Sequence, residues 1–121
     1  MRNFRELNIW KEAVILVKEI YRLSNQLPEE EKYGLKSQIC RAAISIPSNI
    51  AEGYGRKTIP DYVRCLYIAY GSTCELETQT LLSGDLSYLN KADQSSLLEK
   101  IKEVERMLMA LIKSLENKNN S

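Results

Sequence analysis

Glu75 and Glu77 are the acids with the best claim to chemistry in this chain, because two carboxylates close in sequence can act as an acid/base pair or share a metal ion. Their spacing argues against it. Two residues apart on a helix, they point about 200° away from each other and do not converge. They read instead as a polar pair that answers basic residues of the second helix or caps an interface. The 121 residues include no histidine, so the commonest general base and the commonest nitrogen metal ligand are both missing. A four-helix di-metal centre in its usual Glu-x-x-His form is closed to this sequence. Cys40, Cys65 and Cys74 have no CxxC spacing and no His to generate a thiolate, so each reads as a small buried hydrophobe. The expectation is a protein that is not an enzyme, with no catalytic residue, no metal and no cofactor.

Binding chemistry has more to offer. Gly53-Tyr54-Gly55-Arg56-Lys57-Thr58 puts glycines, cations and a hydroxyl before a helix start. That could cradle an anion, or it could be a glycine-capped helix end followed by an exposed turn. A P-loop is excluded by the glycine spacing and by the lack of a preceding strand. The formal net charge is only +1, so any nucleic-acid site must be local. Between Lys32 and Arg64, Lys32, Lys36, Arg41, Arg56, Lys57 and Arg64 face only Glu52 and Asp61. The tentative nucleic-acid contacts are therefore Arg41, Arg56, Lys57 and Arg64. Tyr54, Tyr62, Tyr67 and Tyr70 lie among them, either as stacking residues or as part of a core or interface.

Four amphipathic segments must position these residues. The first spans about 7–26 and carries two apolar stripes, Leu7, Trp10, Val14, Val17, Tyr21 and Ile9, Ala13, Leu16, Ile20, Leu23. Leu27-Pro28 ends it, and three acids suit the start of a second helix over about 32–52. There Leu35, Ile39, Ala42, Ala43, Ile46 and Ile50 form a core stripe. Arg41, Ser45, Ser48 and Glu52 pattern another face, small enough for a second helix to approach. Pro47 should kink or split this helix, and Gly53 and Gly55 should stop it in left-handed conformations. Thr58, Pro60 and Asp61 start a third helix, to about 83, whose first half is apolar nearly all round; the surplus points to a protein partner. The fourth, over about 91–116 with Asn90 and Asp93 at its start, places Leu97, Ile101, Val104, Leu108, Leu111 and Leu115 on a heptad seam. Residues 117–121 read as a frayed polar tail.

No period-two alternation is present, so the fold class is all-α: one domain over 1–121, an up-down-up-down, left-handed four-helix bundle. Hydrophobic residues make up 44% of the chain, enough for a real core. No apolar run approaches a membrane span, no export signal follows Met1, and the odd cysteine count suggests no disulfide framework. A cytoplasmic protein without a membrane partner is expected.

Arg41-Ala42-Ala43, Ser45-Ile46, Asn49-Ile50-Ala51-Glu52-Gly53, Gly55-Arg56 and Glu75-Leu76-Glu77-Thr78, with Phe4, Leu7, Trp10 and Ala13 upstream, carry a resemblance. The chain resembles the four-helix-bundle proteins encoded within intervening sequences of bacterial 23S ribosomal RNA genes, often labelled ribosomal-protein-like. Cys40 and Cys65 depart from that pattern, where an Arg and an aromatic are common. The resemblance implies a subunit of a ring-like homopentamer and no known reaction. A related branch, the accessory protein of diversity-generating retroelements, implies a basic pentameric barrel that binds nucleic acid and a reverse transcriptase. On this basis Arg41, Ser45, Asn49, Glu52, Gly53, Gly55, Arg56, Glu75 and Glu77 form a motif face that meets other subunits or a ligand. Arg41 and Glu52 lie about three turns apart and cannot pair. Glu75 or Glu77 is the expected partner for Arg41, and Arg56 or Arg64 for Glu52, across helices or across subunits. Two functions stay open: an oligomeric module that binds RNA or DNA weakly, and a structural or protein-docking module.

Overall fold

A computed structural model of the chain describes residues 3–120. Four α-helices make up almost all of it: α1 Asn8–Ser24, α2 Leu35–Tyr54, α3 Ile59–Asp85 and α4 Lys91–Asn119, with no strand among the described residues. Each helix packs on its neighbour in sequence, and α1 closes the set by packing on α4. The core between them is Ile9, Leu16 and Ile20 of α1, Ile39, Ile46 and Ile50 of α2, Leu66 and Leu76 of α3, and Leu97, Ile101 and Leu108 of α4.

Local sequence explains where the helices start. Asn3 caps a 3-10 turn over Phe4–Glu6 that leads into α1, and Phe4 packs edge-on against Trp10 at 5.4 Å between ring centroids. Thr58 Oγ1 accepts from the Asp61 amide (3.2 Å) to open α3. Asn90 Oδ1 accepts from the Asp93 amide (2.8 Å) to open α4, as the sequence suggested for both. Helix α2 begins three residues later than expected. Glu29–Glu31 form a 3-10 turn instead, and Glu31 Oε1 reaches forward to accept from the Leu35 amide (2.9 Å). The acid thus caps α2 from outside it.

Several expectations need correction. Pro47 does not split α2, which runs unbroken from Leu35 to Tyr54; the Ala43 carbonyl lacks its helical donor there. Neither Gly53 nor Gly55 is left-handed: Ser87 (φ 63°) is the one residue with positive φ among those described, and Gly55 caps α2 at φ −82°. Only one stripe of α1 is buried, Ile9 to Leu23; the other is half-buried and leaves Tyr21 exposed. In α4 the buried line is Leu97, Ile101, Val104, Leu108 and Ile112, with Leu111 and Leu115 only half-buried. A straight helix of 3.6 residues per turn drifts off a strict heptad seam, so the last contact moves to Ile112. Residues 117–119 continue α4 rather than fray, and Ser121 lies outside the described residues. Of the cysteines, only Cys65 is buried; Cys40 is half-buried and Cys74 exposed.

Candidate functional site

The motif residues of α2 fall into a packed polar seam and a charged corner. In the seam, Asn49 Nδ2 donates to the Ser45 carbonyl (2.8 Å) and to Ser45 Oγ (3.0 Å). Ser45 and Ser72 hydroxyls lie 2.7 Å apart, and Ser72 Oγ donates to the Ile68 carbonyl (3.2 Å). With both Ser72 and Asn49 committed as donors, the Ser45 hydroxyl donates to Ser72. The result is a directional chain from Asn49 through Ser45 and Ser72 into the backbone of α3. These small residues tie α2 to α3 within one subunit, which explains the short side chains at Ser45 and Asn49 between the charged ends Arg41 and Glu52.

Gly53 continues the same contact. A Cβ placed there would stand 2.8 Å from Cys65 Cβ and 2.9 Å from Tyr62 Cδ1, closer than packed atoms tolerate. The glycine is needed for helix approach and not for a turn. Tyr62 in turn meets Tyr54 edge-on at 6.1 Å between centroids, so two of the four candidate stacking tyrosines are committed to packing.

The corner beyond Gly53 holds three of the four candidate cations. Arg56 donates to Glu52 Oε2 (2.6 Å), one turn back along the helix, and Glu52 also accepts from Cys65 Sγ at 3.8 Å. The hydrogen bond and charge of Arg56 hold the Glu52 carboxyl below the usual carboxylate range, and Glu52 correspondingly raises Arg56. Arg64 is bonded to Asp61 at 3.2 Å. Lys57 is exposed and makes no ion pair among the described residues.

Arg41 does not join them. It precedes Arg56 by 15 positions, about 20 Å along the helix axis, and makes no ion pair among the described residues. Within one subunit the expected link to Glu75 or Glu77 is not formed. Glu75 is exposed, and Glu77 binds Lys102 of α4 at 3.2 Å. Glu52 finds its partner in Arg56, within the range expected.

The sequence reading missed Glu105. A hydrogen bond from its side chain, with help from Lys102, holds Glu77 below its ordinary range. Burial is the main cause that pushes Glu105 above its own, with the Glu77 carboxylate adding to it. Only the pairing of α3 with α4 reveals this, since the two acids are 28 positions apart.

Helix α3 and its C-cap Leu86 carry one outward stripe, Tyr67, Ile68, Gly71, Cys74, Glu75, Thr78, Leu81, Leu82 and Leu86, all exposed. Ile68 and Leu86 each leave about half their surface in water, at 51% and 53%. A Cβ on Gly71 would meet nothing within 4 Å.

No helix among the described residues is long and apolar enough to cross a membrane. In solved structures the fold is similar to that of a protein of unknown function from the S23 ribosomal protein family of Bacteroides thetaiotaomicron VPI-5482. The TM-score is 0.81 at 24% identity, covering 87% of this chain and 98% of that one. No curated protein matches the sequence. The family model for the 23S rRNA-intervening sequence protein matches residues 5–110, which takes in α1, α2, α3 and α4 as far as residue 110, and the chain belongs to that family.

Proposed function

We propose that this protein is a non-catalytic, self-assembling helical module of the cytoplasm, an up-down-up-down bundle whose copies associate through the outer face of α3. The observation that carries this reading is the α3 stripe from Tyr67 to Leu86. Large apolar side chains there are left in water, while the charged residues along the same face, Arg64, Glu75 and Asp85, are few. Exposed apolar surface marks an interaction site, and here it forms two clusters, Tyr67 with Ile68 and Leu81 with Leu82 and Leu86, separated by Gly71, Cys74, Glu75 and Thr78. Gly71, open on its outer side, gives a second helix room for close approach. A ring of five is the assembly that the family resemblance supports, with another protein as the alternative partner for the stripe. The short connections and the closed circuit of neighbouring helices support the up-and-down order.

A second reading, weak binding of RNA or DNA, is favoured by Arg41 and Lys57, exposed cations with no ion pair among the described residues. The original set of Arg41, Arg56, Lys57 and Arg64 supports it less well as a single site, since Arg41 stands apart and Arg56 and Arg64 are paired with acids. The assembly reading is tested by replacing Ile68 and Leu82 with Glu. The double variant should remain helical by circular dichroism and elute as a monomer, whereas unchanged elution beside wild type would refute the α3 interface.

A further inference from the structure

The start of α2 forms a groove with α1 that no motif pointed to. Its lining includes Tyr21, Lys32, Tyr33, Lys36, Arg41 and Ile44, it has a volume of about 460 Å³, and it contains no carboxylate. Lys36, Arg41 and Ile44 share one side of α2, while Lys32 and Tyr33 stand on the turn before it. Glu29 and Glu30, nearby in sequence, stay outside the lining. Glu31 is engaged elsewhere, by the Leu35 amide (2.9 Å) and the Tyr88 hydroxyl (3.4 Å).

We propose that this groove binds a single-stranded nucleic-acid segment, with the Tyr33 ring stacking on a base and Lys32, Lys36 and Arg41 contacting its phosphates. The inference rests on the nucleic-acid reading above and moves its site from the end of α2 to the start.

Charge complementarity is the first argument. None of the three cations has an ion-pair partner among the described residues, and the hydrogen bond of Lys36 Nζ to Asn25 Oδ1 (3.3 Å) leaves its charge uncompensated. The second argument is the ring. Tyr33 is 87% exposed, so packing does not account for it. Lys32 Nζ lies over one face of the ring, 5.6 Å from its centroid, a cation–π pair of the kind found where bases stack along a charged groove, and the stacking base would take the opposite face. An acidic peptide would use the cations but gain nothing from the ring, whose face is electronegative and repels carboxylates. A duplex would likewise leave the ring idle, because its bases are already stacked on each other. None of the groove residues belongs to the α3 stripe, so assembly through α3 and strand binding at α2 are separable.

The test is fluorescence anisotropy of the full chain with a labelled oligo-uridine or oligo-thymidine of about twelve nucleotides, at low and physiological salt. Tyr33→Ala should weaken binding by about fivefold or more, since stacking is worth about 1–3 kcal/mol per base. Tyr33→Phe should bind as wild type does. Lys32→Ala with Arg41→Ala, both at exposed positions, should flatten the log–log salt slope by about 1.4, from about 0.7 per phosphate contact on single strands. Arg56→Ala with Lys57→Ala should change little. Loss in that corner variant with no loss in the groove variants would overturn the groove and leave the nucleic-acid reading standing. No binding of wild type at low salt would overturn both. Binding of a poly-glutamate peptide or a duplex that matches the single strand and ignores Tyr33→Ala would also overturn the proposal, in favour of a protein or a double helix.

Discussion

Helices α3 and α4 are nearly equal in length, 27 and 29 residues, and each buries one stripe in the same core, yet their outer faces differ. The outer face of α4 carries Glu99, Lys102, Arg106 and Lys113, an ordinary solvated surface; Arg106 pairs with Glu103 three residues before it. The outer face of α3 carries Tyr67, Ile68, Leu81, Leu82 and Leu86 in the positions that α4 gives to charge. Burial within one subunit does not require this. The comparison teaches that α4 is finished by folding, whereas α3 needs a second surface.

The sharpest way to break that comparison is to give α3 the outer face of α4. Ile68→Glu with Leu82→Glu should convert an assembly to a monomer, while Glu99→Ala with Lys102→Ala on α4 should leave its size unchanged, both read by size-exclusion elution. Next in magnitude is the shared core. Leu108→Ala should cost about 2–5 kcal/mol in chemical denaturation, the range for a fully buried Leu.

Two glycines then separate packing from exposure. Gly53→Ala should destabilise by about 1–3 kcal/mol, because its Cβ meets Cys65 and Tyr62 below 3.0 Å and α2 must move away from α3. Gly71→Ala should stabilise the isolated bundle by about 0.5–1 kcal/mol through helix propensity, since the added methyl meets nothing within 4 Å. Should the bulkier Gly71→Leu leave assembly intact, no partner helix approaches at that point.

The smallest effect is a pH dependence on the α3–α4 seam. Burial raises Glu105 above its unfolded value, so the folded state holds that proton longer than the unfolded one. Its contribution is therefore present below the unfolded carboxylate range, near 4.3, and is lost as pH rises through the higher folded value. Relative to Glu105→Gln, wild type should lose stability as pH rises across that window. A thermal unfolding series from pH 4 to pH 7 reads the difference.

Much of this fold is legible in residue spacing. Ile39, Ala42, Ala43, Ile46 and Ile50 are all buried, as their steps of three and four require, and Thr58 and Asn90 cap the helices they were expected to cap. The failures have local physical causes. Glu31 caps α2 from outside the helix, so three acids that suit a helix start became a 3-10 turn. Gly53 reads as a stop because sequence alone does not show that Tyr62 and Cys65 press on it. The candidate site was less legible. Arg41 and Arg56 are equivalent as residue types, but an acid one turn away neutralises only Arg56, and the groove at Tyr33 joins residues of α1, α2 and a turn. The residue pattern put the apolar excess of α3 in its first half, of which Tyr67 and Ile68 are left exposed; Leu81, Leu82 and Leu86 at its far end emerge only once the other three helices are packed.

Whether α3 is an interface is decided by light scattering of wild-type protein at micromolar concentration. The account predicts a particle several times the 13.9 kDa of one chain, five times for the ring, that dissociates when Ile68 and Leu82 become Glu. A single species at the mass of one chain would contradict it.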